Sequence, residues 1–235
     1  MTATSIARPI IFNETMVRAL LDGRKTQTRR PIKNQPKNGW VFDQNPVLGK
    51  ITSTHPKRDK FGAFISRTSG NRKETDIITC PFGAPGDRLW VREKFKAVAS
   101  GSIKDDCGQV RYGWAYAADS AVLWDATTTT IHAPPRLCSD SPLQFRDLPW
   151  KPSIHMPRKA SRLLLEITDI RVEKVQGITK ADAAAEGFDL RVPAEEQGDW
   201  VVGARTNFRH AWQQIYGSSW DNNDWVWVIE FKKVS

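Results

Sequence analysis

The residues with the most chemistry in this 235-residue chain crowd into positions 22–31, DGRKTQTRRP. Four cations, Arg24, Lys25, Arg29 and Arg30, surround two hydroxyls, Thr26 and Thr28, and no carboxylate follows Asp22. A threonine hydroxyl is a poor nucleophile unless a base takes its proton. A lysine can be that base only when neutral, and its ordinary pKa is about 10.4. Burial and neighbouring positive charge both disfavour the ammonium. The three arginines therefore lower Lys25 if their side chains point its way, and the same charge attracts an anionic substrate. The bland alternative is a helix C-terminus complemented by cations, worth about 0.3–1 kcal/mol each, followed by a strand with solvated arginines.

Positioning these groups falls to the flanking elements. NETMVRALLD (13–22) predicts a helix capped by Asn13, with Met16, Ala19 and Leu20 on one face and Gly23 at the left-handed stop. KTQTRRPI then reads as a short strand ended by Pro31. Strand alternation puts Thr26, Thr28 and Arg30 on one face and Lys25, Gln27 and Arg29 on the other. Lys25 and Thr28 meet only if the turn at Gly23 directs them together. Further along, Pro85-Gly86-Asp87 marks a turn into a strand over 88–95, in which Trp90 is expected in the core and Arg92 toward a pocket. Strands are expected at 111–119 and 163–175. TKADAAAEGF (179–188) has capping-box spacing between Thr179 and Asp182 and a stop at Gly187. Phe208, Ala211, Trp212 and Ile215 predict an amphipathic helix over 206–217. Trp225, Trp227, Ile229 and Phe231 predict the inner face of a last strand. Polar stretches at 33–80, 97–150 and 189–203 read as long loop insertions. The order of elements predicts an α+β fold with a mostly antiparallel or mixed sheet, closing into a small β-barrel.

The formal net charge of +9 favours an anionic partner, nucleic acid before membrane surface. No apolar run approaches the ~20 residues that span a bilayer, and MTATSIARPIIF lacks the apolar core of a signal peptide, so a cytoplasmic protein is expected. Cys80, Cys107 and Cys138 are scattered and form no CxxC pair, so no metal, cofactor or disulfide framework is expected. Most of the ten tryptophans are expected to fill core. In KPSIHMPRK (151–159), His155 and Arg158 could contact phosphate or base, against the alternative of a solvated basic loop.

GRKTQTRR resembles the GxKTxTxR motif of the ASCH domain family, in the PUA-like superfamily of small β-barrels. GDRLWV (86–91), ITKADAAAEGF (178–188) and WVWVIEF (225–231) are similar to its strand entry, acidic helix and closing strand, in the family's order. Longer stretches, CPFGAPGDRLWVRE, WKPSIHMPR and WDNNDWVWVIEF, resemble a phage and prophage branch. The resemblance implies one PUA-like domain over residues 1–235, with flanking helices and the three insertions, in a host cytoplasm if the protein is phage-encoded. Small members of the family are amidohydrolases that deacetylate N(4)-acetylcytidine. Carried over by position, their set implies Lys25, Thr28 and Glu186 as catalytic residues. Arg24, Thr26, Arg29, Arg30, Arg92, His155 and Arg158 are then candidates for holding substrate or nucleic acid. The expected activity is hydrolysis of an acylated cytidine or related modified nucleobase. The alternatives are a non-catalytic reader of RNA, single-stranded DNA or modified nucleic acid, and a ribonuclease. Neither the exact substrate nor the oligomeric state is encoded in these motifs.

Overall fold

The structure, a computed structural model, describes residues 7–52, 54, 56–104, 107–132, 149–188 and 203–234. Eleven strands and three α-helices make an α+β fold among the described residues. A five-stranded sheet contains β1 (Ala7–Ile11), β2 (Gln27–Pro31), β6 (Arg88–Arg92), β10 (Leu164–Lys174) and β11 (Trp225–Lys233) in the order β1-β6-β10-β11-β2. The helices are α1 (Glu14–Leu21), α2 (Lys180–Ala185) and α3 (Ala204–Tyr216). The expected closure into a barrel is not formed among the described residues, where β1 and β2 stand at opposite ends of an open strand order.

Two of the three stretches read as loop insertions are sheets. β3 (Leu48–Lys50), β4 (Phe61–Ser69) and β5 (Arg72–Thr79) form a meander inside 33–80. Composition concealed it, because the polar residues lie on strands that also bury Ala63, Ile65 and Ile77. Ser69 pairs with Arg72 around Gly70-Asn71, and Gly70 takes the positive φ of 59° that a two-residue hairpin turn needs. A second meander, β7 (Phe95–Lys104), β8 (Cys107–Tyr116) and β9 (Val122–His132), fills most of 97–150. The third stretch, 189–203, lies outside the described residues except Gly203.

Contacts divide the chain into two compact units, one drawn mainly from Ala19–Leu89 and Leu165–Val234, the other from Pro9–Arg18 and Trp90–Leu164. In the first unit, β11 pairs antiparallel with both β10 and β2. Its central position buries Val226, Trp227, Val228 and Ile229 in succession, so the single apolar face expected for it is in fact two. Val226 and Val228 pack under α2 and α3 with Val175, Ile178, Phe208, Trp212 and Trp220. On α3 the buried stripe runs Ala204, Phe208, Trp212 at steps of four. It continues to Tyr216, which packs on the same cluster, and so passes by Ile215, which is 53% exposed. A bulge between Ile167 and Asp169 shifts the parity of β10. Leu165 and Ile167 before it and Ile170 and Val172 after it can therefore all be buried.

In the second unit Phe95, Tyr116, Met156 and Ala160 form the core. Beside it Arg162 holds both oxygens of Glu93 at 2.9 Å and both of Asp119 at 2.7 and 2.9 Å. Burial pushes the Glu93 carboxyl up even against this guanidinium. The tryptophans are less internal than expected. Trp212, Trp220 and Trp227 are buried, but Trp40, Trp90, Trp114 and Trp225 are half-buried and Trp150 is exposed. Among the described residues no helix is long and apolar enough to cross a membrane.

Candidate functional site

The stretch 22–31 is built as its sequence reads. Asn13 Oδ1 accepts from the Met16 amide and caps α1, and Gly23 ends it at φ 74°. The chain then enters β2 held on both sides: the Lys25 amide donates to Ala19 O and the Thr26 amide to Ala185 O. α2 begins on the expected capping box. The Asp182 amide donates to Thr179 Oγ1 at 3.1 Å and the Thr179 amide to Asp182 Oδ2 at 3.0 Å. Gly187 follows at φ 93°, so close that a Cβ there would lie 2.7 Å from Ala19 Cβ and 3.3 Å from Lys25 Cβ.

That close approach carries Lys25 onto the end of α2. Its Nζ donates at 2.8 Å to Glu186 Oε2, to Glu186 O and to Gln27 O. The three donors of an ammonium are thus met by three acceptors. Side-chain exposure is 0% for Lys25 and 2% for Glu186. Burial pushes the Lys25 ammonium below the usual lysine range; Glu186 opposes that by charge and hydrogen bond, and Arg30 and Arg29 add to it.

Thr28 goes elsewhere. The β2–β11 register sets Arg29 opposite Val228, Thr28 opposite Ile229 and Gln27 opposite Glu230. Residues opposite one another share a face, and Val228 lies in the cluster under α2. Arg29 and Gln27 therefore face α2, and Thr28 faces the other side of the sheet, buried at 2% exposure. The turn brings Lys25 and Glu186 together and leaves Thr28 on the opposite face.

On the α2 face the charges are mutually engaged. Arg29, fully buried, contacts Glu173 at 2.9 Å, Asp182 at 3.3 Å and Glu186 at 3.8 Å. Arg171 adds Glu173 at 2.6 Å, Asp182 at 3.3 Å, Gln27 Oε1 at 2.9 Å and the carboxylate of Glu230. Three cations (Lys25, Arg29, Arg171) face four carboxylates (Glu173, Asp182, Glu186, Glu230), so the cluster has no surplus positive charge. Gln27 Nε2, Arg29 Nε and Nη1, and Glu186 Oε1 are buried with no hydrogen-bond partner among the described residues. Each such atom costs about 1–3 kcal/mol when left unmet. A cavity of about 520 Å³ opens on the outer side of the cluster, lined by Arg171, Glu173, Thr179 and Asp182 but not by Gln27, Arg29 or Glu186, with Lys174 at 4.5 Å over the Trp225 ring.

No family model, curated protein or solved structure matches the chain. What the site can do rests on its own groups.

The other sequence candidates are dispersed. Arg24 is exposed and bonds Asp22 at 2.9 Å and Gly187 O at 3.2 Å. Thr26 is exposed beside the Lys25 turn. Arg30 donates to Tyr216 Oη at 3.2 Å. The cationic stretch is therefore largely neutralised by partners distant in sequence rather than displayed as a patch. Arg92, His155 and Arg158 belong to the second unit. Trp90 and Arg92, two apart on β6, share a face, while Leu89 and Val91 are the buried pair. This corrects the expected core place of Trp90: the Arg92 guanidinium lies 5.4 Å from its ring and donates to Ile154 O. His155 and Arg158 are exposed.

Sequence reading missed Gln27, Arg171 and Glu173, and saw in Asp182 only a cap. A signal was present for three of them. Asp182 and Glu186 are four apart, on one side of a helix. Arg171 and Glu173 are two apart on a strand, so both point to the side that α2 covers.

Proposed function

We propose that the chain binds nucleic acid and reads a modified nucleobase in its first unit, as a PUA-like ASCH module of the kind its motifs resemble. The observation that carries this reading is a cavity of about 520 Å³ walled by the charged edge of the Arg29 cluster, where Arg171 stands beside Glu173 and Asp182 and faces the Trp225 side. That volume lies within the range of small-molecule sites. With four carboxylates to three cations, the cluster has no attraction for phosphate. The Arg171 guanidinium as donor and the Glu173 and Asp182 carboxylates as acceptors line it and suit the mixed edge of a nucleobase. Trp225 at the cavity wall offers a flat apolar surface for its ring. Binding without turnover is favoured because Lys25 is engaged by three acceptors and the Thr28 hydroxyl lies across the sheet.

A second reading, hydrolysis of an N(4)-acylcytosine, is supported by one observation: burial depresses the Lys25 ammonium, as a catalytic base needs. One experiment separates the two. Oligoribonucleotides with and without a single N(4)-acetylcytosine are titrated by fluorescence anisotropy, and the nucleosides are then quantified by mass spectrometry. The reader binds the modified strand more tightly and leaves the acetyl group in place, and Thr28→Ala binds as wild type does. Turnover that is lost in both Thr28→Ala and Lys25→Arg selects the hydrolase, since an arginine stays protonated. Equal affinity for both strands with no turnover overturns both.

A further inference from the structure

The face of the five-stranded sheet that α2 and α3 leave uncovered carries a second cavity, of about 540 Å³. Val226 and Val228 on β11 lie under the helices, so Trp227 between them points the other way, and it lines this cavity. Another wall is the first meander, where Ile65 and Asp76 pair across β4 and β5 and so share a face with Ile78. Every lining residue belongs to the first unit, and none also lines the cavity beside Arg171. The volume is that of a small-molecule site.

The segment 31–40 forms the rim and is fixed by its own bonds. Gln35 Nε2 donates at 2.8 Å to Ile32 O and to Trp225 O, and Gln35 Oε1 accepts from the Trp225 amide at 2.9 Å. Asn38 and Gly39 take φ of 56° and 80°, which turns the chain so that Val41 pairs with Ser66 on β4. The turn delivers Trp40 to the cavity. The Arg67 guanidinium lies 4.8 Å from the Trp40 ring and 2.6 Å from the Glu74 carboxylate. Neither Arg67 nor Glu74 lines the cavity, so the pair backs the ring from outside.

Charge in this cavity is uneven. Three lysines line it, Lys33, Lys37 and Lys57, against one carboxylate, Asp76. Asp76 is taken by Lys57, whose Nζ donates to Oδ1 at 2.9 Å, to Oδ2 at 3.0 Å and to Ile77 O at 2.8 Å. Lys33 and Lys37 are exposed and pair with no carboxylate among the described residues. We infer that the cavity binds a small aromatic anion. Its flat ring lies against Trp40, among walls supplied by Trp227, Phe82, Ile65 and Ile78, and its carboxylate or phosphate group meets Lys33 and Lys37 at the rim. A charged group there feels both ammonium groups, whereas an uncharged ring gains only the apolar contacts. Base reading beside Arg171 is not needed for this site.

The test is calorimetric titration at low salt with naphthyl phosphate, naphthoate and uncharged naphthol, which share one ring system. Wild type binds the anions and holds the alcohol more weakly, and the phosphate and carboxylate arms tell which group the site prefers. Lys33→Ala with Lys37→Ala changes two exposed side chains, so the fold is kept; it weakens the anions about tenfold and leaves naphthol unchanged. Lys73→Ala with Lys233→Ala removes the same charge from exposed positions outside the cavity and leaves all three affinities within about twofold of wild type. Trp40→Leu weakens all three probes, and Trp40→Phe restores most of the loss. No binding of either anion, naphthol bound as tightly as both anions, or equal anion affinity in the two lysine double variants overturns this site.

Discussion

Replacing Lys25 by methionine tests the buried pair at the head of β2 most directly. Methionine fills a similar volume but leaves Glu186, at 2% exposure, without its 2.8 Å donor on Oε2. Oε1 has no hydrogen-bond partner among the described residues, and the nearest cation, Arg29 Nη1, is 3.8 Å away. Breaking one side of a buried pair costs about 3–5 kcal/mol. The methionine also strips a donor from Gln27 O and Glu186 O, at about 1 kcal/mol each. The double variant Lys25→Met with Glu186→Met removes the orphaned charge but not the orphaned carbonyls. It should therefore lie only about 2 kcal/mol below wild type and be more stable than the single variant. Urea unfolding followed by circular dichroism reads both, and the single variant should also lose about 10–28 °C in Tm. A single variant within 1 kcal/mol of wild type would show that the pair is not buried as described. A double variant no better than the single one would refute the argument that the unpaired carboxylate is the main cost.

Gly187→Ala places a Cβ 2.7 Å from Ala19 Cβ at a φ of 93°. The strained backbone and the overpacking together should cost about 2–4 kcal/mol in urea unfolding, and Ala19→Gly should recover only the steric part. Asp182 gives a pH dependence. Burial pushes its carboxyl up, but bonds from the Thr179 amide and hydroxyl and the charges of Arg29 and Arg171 outweigh this and leave it below the usual aspartate range. A depressed carboxylate stabilises at neutral pH, and that contribution fades as pH falls from about 4 through the folded-state value. Asp182→Asn should thus be less stable than wild type at pH 7, with the gap closing toward pH 2; a gap constant across that range would refute the assignment.

Where local rules govern, the sequence was a good guide. Asn13 and Thr179 cap α1 and α2, Gly23 and Gly187 take the positive φ that ends them, and Pro31 closes β2. Each of these depends on residues within a turn of one another. Errors began where a property is set by neighbours in space. Alternation in β11 suggested one buried face, but a strand between two others with helices over one side buries both. The meander at 48–79 reads as a loop because polar residues dominate its composition and hide Ala63 and Ile65, two apart on β4; in the second meander the strand expected at 111–119 is part of β8, while most of β7 and all of β9 fall in stretches read as insertion.

The site divides along the same line, and the division bears on what the positive charge is for. Four cations in ten residues read as a patch awaiting an anion. In the fold, Lys25 and Arg29 meet carboxylates from 144 to 161 positions away, and Arg30 reaches a tyrosine 186 positions away. A count of charge along the chain cannot reveal that cancellation, since the carboxylates come from β10 and α2, and only the packing of α2 on β2 brings them together. The converse holds in the second unit. The segment 149–162 has as many cations as the opening stretch; its Arg162 holds Glu93 and Asp119, while Lys151, Arg158 and Lys159 pair with no carboxylate among the described residues. Attraction for a phosphate backbone follows unpaired cations rather than arginine-dense sequence, so under the reading proposed above the stretch 22–31 is a poor lure for phosphate and the Arg171 edge of its cluster would discriminate by hydrogen bonds instead.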